Sequence, residues 1–280
     1  MKSPGIDSKS FATAFFLILF LGSLFLSYQI HGERDIFSWK SEIWADRAGY
    51  YIYLPATFLY GFDVTKAPDK IWEKTGDGFW IDFQKGKFRT KYPCGEAIML
   101  TPFFLATHWI SLAFDIPEDG GFSPLYHRMI DVAAVIYMIL GLFLLKRVLQ
   151  RYFSPIVQYL TLFFLFIGTN LYYYSVSDGA MSHVYSFFLF SLFLFSLVRF
   201  LDTRKYGFYL LMVIAGSLAV VTRPTNILIF SPFFLWDLNS LRSVTERIKW
   251  FFKPAYLITF VGVLFLAVLP QLLYWKYLHG

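Results

Sequence analysis

Long apolar runs separated by short charged stretches dominate the chain. Residues 11–30 carry no charge and follow Lys2 and Lys9. The run exceeds the roughly 7–15 residues of a signal-peptide core, and no A-x-A cleavage site follows it. It therefore predicts a retained first span, since a helix crosses the hydrocarbon core with about 20 mostly apolar residues. Runs at 129–145, 153–174, 181–198, 206–222, 225–236 and 254–275 predict six more spans. An eighth run, 97–114, is also apolar, but Glu96 precedes it and His108 interrupts it.

The eighth run decides the topology, and positively charged residues favour the cytosolic side of a membrane. If 97–114 does not span, Lys146, Arg147, Arg151, Arg199, Arg204, Lys205, Arg242, Arg247, Lys249 and Lys253 share the cytosol with the N-terminus. Only Arg128, Arg223 and Lys276 then face the other side outside the first loop. If it spans, the two sets exchange sides. The expectation is an all-α integral membrane protein of about seven transmembrane helices with a cytoplasmic N-terminus. Its single membrane domain, residues 1–280, consists of the first span at 11–30, an extracytoplasmic loop over 31–125, and six spans over 126–275. The 225–236 span is short, about 18 Å at a rise of about 1.5 Å per residue, and with Arg223-Pro224 it reads as a pair of short helices.

The long loop is amphipathic. Trp44, Ala48, Tyr51, Ile52 and Phe58 recur at helical spacing and predict an interfacial helix over 44–60, kinked at Pro55. A second interfacial helix is expected over 96–114. Between them, 79–83 and 88–92 flank a glycine turn and predict a small hairpin.

Composition agrees. Hydrophobic residues make up 57% and charged residues only 16%, against about 25% charged in soluble domains. The net charge of +6 follows from the cytosolic lysines and arginines, so the expected partner is the lipid bilayer and no nucleic acid. A single cysteine, Cys94, excludes an intrachain disulfide.

Ionisable groups in or at the mouths of membrane helices are costly and are functional candidates. Asp46, Lys91, Glu96, Arg128, Asp178, His183 and Arg223 all fall at the outer interface. Asp202, Asp237 and Glu246 fall among cytosolic basic residues, where solvated or paired roles suffice. Asp131, three residues after Arg128, is either its buried partner or functional. Asp46 opens a helix, where the dipole favours negative charge, and a carboxylate can take the proton of an incoming hydroxyl. Lys91, Arg128 and Arg223 suit an anionic leaving group. Each has a plainer alternative. Asp46 and Glu96 can cap helices, Lys91 can snorkel, Asp178 can shape a turn, His183 can bond within the bundle, and Arg223 can anchor at the interface. No metal site is required, although a divalent ion bridging phosphate to Asp178 or His183 is compatible with the chemistry.

Four features, Trp44-Ala45-Asp46-Arg47-Ala48-Gly49-Tyr50-Tyr51, Lys91-Tyr92-Pro93-Cys94-Gly95, Arg128 entering the next span, and Thr222-Arg223-Pro224-Thr225-Asn226, together resemble the C-type membrane glycosyltransferases that use polyprenyl-phosphate sugars, the superfamily of protein O-mannosyltransferases and lipid A aminoarabinose transferases. Ser177-Asp178-Gly179-Ala180-Met181-Ser182-His183, opening a span, resembles a bacterial branch of the same superfamily. The resemblance implies that Asp46 is the catalytic aspartate and that Lys91 and its neighbours replace a K/H-P-P motif near the donor phosphate. It implies a polyprenyl-phosphate-linked sugar donor, a glycan, lipid or protein acceptor, and a place in the bacterial inner membrane. Two departures stand out: Tyr92-Pro93-Cys94 has one proline where relatives often have two, and Arg47 replaces the second acid of the first loop. Relatives typically carry more spans, so the resemblance also implies a shortened member. Two other classes fit the pattern: a transporter or flippase, suggested by short helices around Arg223-Pro224, and a non-catalytic membrane partner.

Overall fold

The computed structural model describes residues 8–32, 35–236 and 241–279. Lys2, Asp237 and the Arg242 side chain lie outside the described residues. The long helices are α1 (Ser8–His31), α5 (Gly95–Ala113), α6 (Pro124–Leu149), α8 (Ser182–Thr203) and α12 (Pro254–His279). These are the five helices, among the described residues, that are long and apolar enough to cross a membrane. Shorter ones are α2 (Asp46–Tyr51), α3 (Tyr53–Phe58), α4 (Ile71–Thr75), α7 (Pro155–Ile167), α9 (Tyr206–Thr222), α10 (Ser231–Leu235) and α11 (Leu241–Phe251). Two strands, β1 (Trp80–Asp82) and β2 (Lys87–Arg89), pair antiparallel with Ile81 opposite Phe88.

Four of the seven expected spans are thus long helices. The 153–174 run breaks after Ile167, where Gly168 ends α7, and the chain continues into a π-helical turn at Tyr173–Ser177. The 225–236 run splits into a 3-10 segment, Pro224–Phe230, and α10, as its length and prolines imply. The 97–114 run, expected to lie in the interface or to re-enter, forms the shortest and least apolar of these five helices. It runs antiparallel to the first half of α6: the Tyr137 hydroxyl donates to the Met99 carbonyl at 2.7 Å, and His108 Nδ1 lies 3.1 Å from the Tyr126 hydroxyl. The expected helix forms there, and its buried face, Ala97, Met99, Leu100 and Phe104, packs against protein.

Helices α6, α8 and α9 form the centre, with α1 and α5 against α6 and α12 against α9. Lipid tails are as apolar as leucine, so close backbone approach and hydrogen bonds, rather than exclusion from water, hold membrane helices together. Gly95 supplies such an approach, because a Cβ there would sit 2.3 Å from the Thr222 backbone nitrogen. The contact joins the start of α5 to the end of α9. Gly95→Val is therefore expected to cost about 1–3 kcal/mol, the range for overpacking, and to lower the detergent melting temperature. An unchanged melt would show that this junction yields freely.

The 44–60 segment differs from expectation. It is two short helices meeting at Ile52, and its residues are buried against protein, with Ala48, Tyr51, Ile52 and Leu54 almost inaccessible. The loop folds over the end of the bundle, so Ala48, Tyr51 and Ile52 of the apolar stripe are buried against protein while Phe58 stays exposed; the Tyr51 hydroxyl donates to the Gly121 carbonyl at 2.6 Å. The hairpin forms with shorter strands than the pattern implied and docks on the end of α12. Thr90 N–H donates to the Tyr274 hydroxyl at 2.8 Å, and Cys94 N–H to Gln271 Oε1 at 2.8 Å.

One end of the bundle thereby gathers the end of α1, the starts of α5, α6 and α8, the ends of α9 and α12, and the long loop. At the other end the basic residues pair or stack: Arg151 with Asp202, and Arg204 over Trp250 at 3.6 Å. Arg151 and Arg204 thus lie at the end opposite Arg128 and Arg223.

Candidate functional site

Asp46 opens α2 after Ala45, whose backbone is left-handed (φ 50°). The turn leaves Asp46 exposed, and among the described residues it makes no ion pair. It lies beside Tyr92; burial first, then the neighbouring Asp46 carboxylate, pushes the Tyr92 phenol pKa upward. The Tyr92 ring packs on Tyr50 with centroids 4.4 Å apart. Gly49 makes this possible, because a Cβ there would fall 2.2 Å from the Tyr92 ring. Burial also raises the Tyr50 phenol pKa; Ser182, Glu96, Arg223 and Asp46 all act on that hydroxyl. Tyr50 is thus the meeting point of four chain segments.

Behind Tyr50, Glu96 is inaccessible to solvent, and neither carboxyl oxygen has a hydrogen-bond partner. Asp178, at the end of the π-helical turn, receives Arg47 Nη1 at 2.7 Å. Arg47 Nη2 also donates to the Trp39 carbonyl at 2.7 Å. The residue that breaks the expected acidic pair is thus the partner of a second expected site residue. His183, one residue into α8, stacks on Tyr174 at 3.8 Å with nearly parallel rings. Its Nε2 lies 3.0 Å from Arg223 Nη1. Since guanidinium only donates, Nε2 accepts, and the ring proton is assigned to Nδ1. That Nδ1 is buried without a partner. Arg223 is extended (φ −149°, ψ 117°), as a residue before proline should be. Lys91 is exposed at the rim, its Nζ 5.2 Å from the Tyr92 ring centroid. A largely apolar groove of about 250 Å³ between the end of α7 and the start of α8 is lined by Leu165, Leu171, Val184, Phe187, Tyr174 and His183.

Arg128 is elsewhere. Expected to face a donor phosphate, it instead donates from Nη1 to Glu42 Oε1 at 2.9 Å and to Asp131 Oδ2 at 3.3 Å, and from Nη2 to the His31 carbonyl at 2.6 Å. His127 Nδ1 reaches Glu42 Oε2 at 3.0 Å, and His31 Nδ1 reaches Asp131 Oδ1 at 3.0 Å. The reading of Asp131 as Arg128's buried partner agrees with this geometry. Burial alone would raise the Glu42 pKa, but the hydrogen bond and charge of His127, with the charge of His31, override it and hold it down at about 2. His31 Nε2 lies 3.2 Å from the Ser177 carbonyl, so this cluster supports the turn carrying Asp178. His31, Glu42 and Asp131 offer ligand atoms within 4.8 Å of one another, a set able to hold a metal. Arg128 already places a cation on both carboxylates.

The seven expected site residues therefore divide. Asp46, Glu96, Asp178, His183 and Arg223 converge around Tyr50 and Tyr92, Lys91 stands at the rim, and Arg128 belongs to the neighbouring ion cluster. Sequence reasoning missed Tyr50, Tyr92 and Ser182 as parts of the site, and His31, Glu42 and His127 as its support. The charged pair His127-Arg128 opening a span was the available signal for the latter. Compared with protein-family models, curated proteins and solved structures, the chain gives no match to any.

Proposed function

We propose that this chain is an integral-membrane glycosyltransferase that moves a sugar from a polyprenyl-phosphate donor to an acceptor hydroxyl. The reading is carried by the convergence of an exposed carboxylate, Asp46, outside any ion pair among the described residues, with the Arg223–His183 pair beside a largely apolar groove. The isoprenoid chain lies between helices in lipid. Arg223, His183 Nδ1–H and Lys91 hold the donor phosphate, where fixed positive charge stabilises the negative charge that develops as it departs. The acceptor oxygen attacks the anomeric carbon and its proton passes to Asp46. The bond from that carbon to the phosphate oxygen breaks, and the phosphate keeps the electron pair. The site end of the bundle faces the extracytoplasmic side of a bacterial inner membrane and the basic end faces the cytosol, following the positive-inside bias.

The test is a proteoliposome assay of the full chain with label in the sugar of a polyprenyl-phosphate hexose. The expected result is covalent transfer of label to a water-soluble acceptor with release of polyprenyl phosphate. Arg223→Ala should raise the donor KM by about tenfold or more, the loss expected for a charge-assisted phosphate contact. Movement of intact donor between leaflets without a broken bond would instead make the chain a flippase.

A further inference from the structure

A groove of about 580 Å³ lies between the start of α1 and the start of α7, at the end of the bundle away from Asp46 and Arg223. Phe11, Phe15, Ile156, Leu160 and Phe163 line it with apolar side chains, and Tyr159 joins them. The Tyr159 ring packs edge-on against Phe11 and Phe15, with centroids 4.7 and 5.0 Å apart. Ile156 and Leu160 are 70% and 50% exposed, so the groove opens outward from the bundle, toward lipid. Its volume is that of an ordinary ligand pocket. Lys146, near the end of α6, is only 9% exposed, and its Nζ lies 5.1 Å from the centre of the Tyr159 ring. A lysine at a helix end ordinarily carries its ammonium out to water. Lys146 lies instead against a ring that lines the groove. Among the described residues it has no carboxylate partner, and Asp202 at the same end takes Arg151. A buried charge without an opposite charge is costly, and an aromatic face offsets only part of that cost. Arg147 is exposed beside it; its guanidinium carbon is 5.9 Å from the Phe143 ring, which packs on Phe16 of α1. The two cations call for an anion and the groove for a hydrocarbon chain, and a membrane supplies both in one molecule.

We propose that this groove holds an acyl chain of an anionic phospholipid, with Lys146 and Arg147 on its headgroup phosphate. Basic pockets between membrane helices on the cytoplasmic side hold anionic headgroups in this way, and the orientation proposed above puts this end in the cytosol. A zwitterionic phospholipid brings the same chains and a phosphate, but its own ammonium group cancels the charge that Lys146 would meet. None of these residues belongs to the sugar-transfer site, so the lipid site and the transferase reading fail separately.

Native mass spectrometry of the full chain in detergent reads lipid binding directly, with palmitoyl-oleoyl phosphatidylglycerol and phosphatidylcholine as probes. The wild type is expected to bind phosphatidylglycerol about tenfold or more tighter, the scale of two basic side chains on one anionic headgroup. Lys146→Met keeps an unbranched side chain against Tyr159 and removes the charge. It should weaken phosphatidylglycerol binding by about fivefold or more, the share of one basic residue, and leave phosphatidylcholine unchanged. In lipid-free detergent it should melt at or above the wild-type temperature, because it removes a buried charge. Lys146→Arg should keep the preference. Leu160→Trp, at a half-exposed position, fills the groove and should weaken both lipids. Equal wild-type affinities for the two lipids would overturn the proposal. So would a Lys146→Met variant that keeps the full preference, or one that loses both lipids equally, which would make Lys146 a structural residue. Wild-type affinities in Leu160→Trp would take the groove out of the site and overturn it as well.

Discussion

Glu42→Ala should destabilise the protein by about 3–5 kcal/mol, the cost of breaking a buried ion pair from one side. Glu42 is 3% exposed and holds the His127 ring at 3.0 Å and the Arg128 guanidinium at 2.9 Å. Alanine leaves His127 without its carboxylate and Arg128 with Asp131 alone, while the buried site admits little water to replace what is lost. The damage should spread beyond the cluster. His31, Asp131 and the Ser177 carbonyl are joined in it, so loosening it frees the turn that presents Asp178. Heat or denaturant unfolding in detergent reads the effect directly. A melting curve superimposed on the wild type would show that the cluster is not holding α1 to α6.

The same residue predicts a pH dependence with a definite sign. The Glu42 carboxyl titrates near 2 when folded, against an ordinary value of 4.5. Its depressed folded pKa means that its stabilisation is fully present above about pH 4.5 and declines as pH falls toward 2. Wild-type melting temperature should therefore drop through that window. Glu42→Gln should show a shallower drop there, because the substituted side chain has no proton to take up.

The sequence made some of this visible and hid the rest for identifiable reasons. Apolar runs of about 20 residues mark helices because the bilayer imposes that length, so α1, α6, α8 and α12 stood out. The glycine turn between β1 and β2 was visible because turn chemistry is local. Arg128 and Asp131, three apart on one helix, could be paired from spacing alone. Glu42 could not. It sits in a polar loop with no periodicity, and its partners lie 85 and 86 residues away. Burial of α2 and α3 was also hidden, because an amphipathic stripe looks the same whether it meets lipid or another helix. Arg47 was read as a departure from a motif, and only its 2.7 Å contact with Asp178 gives it a role. The break in the 153–174 run was signalled by Gly168 and outweighed by the apolar count around it.

The pairing of the other groups singles out Asp46. Asp178 is paired with Arg47, Asp131 and Glu42 are bonded by Arg128, His31 and His127, and Glu96 is shut away from solvent. Each of those carboxyl groups would cost stability or binding if changed, since each is buried or bonded. Asp46 alone in this group is exposed and outside any ion pair among the described residues. A residue that is exposed and outside those ion pairs should betray itself by the opposite pattern. Asp46→Asn is therefore expected to leave the melting temperature unchanged and to lower kcat for sugar transfer by about 10²–10⁴-fold, the usual worth of a positioned general base. Donor KM should stay near the wild-type value, because in the proposed arrangement Arg223, His183 and Lys91 hold the phosphate. That split between kcat and KM identifies an interaction made only in the transition state. Asp178→Asn should behave differently: it leaves Arg47 without its partner, so it should lower the melting temperature along with turnover. If Asp46→Asn transferred sugar at the wild-type rate, the base would have to be sought among groups that the fold has already committed to ion pairs, and the proposed chemistry would fail at its first step.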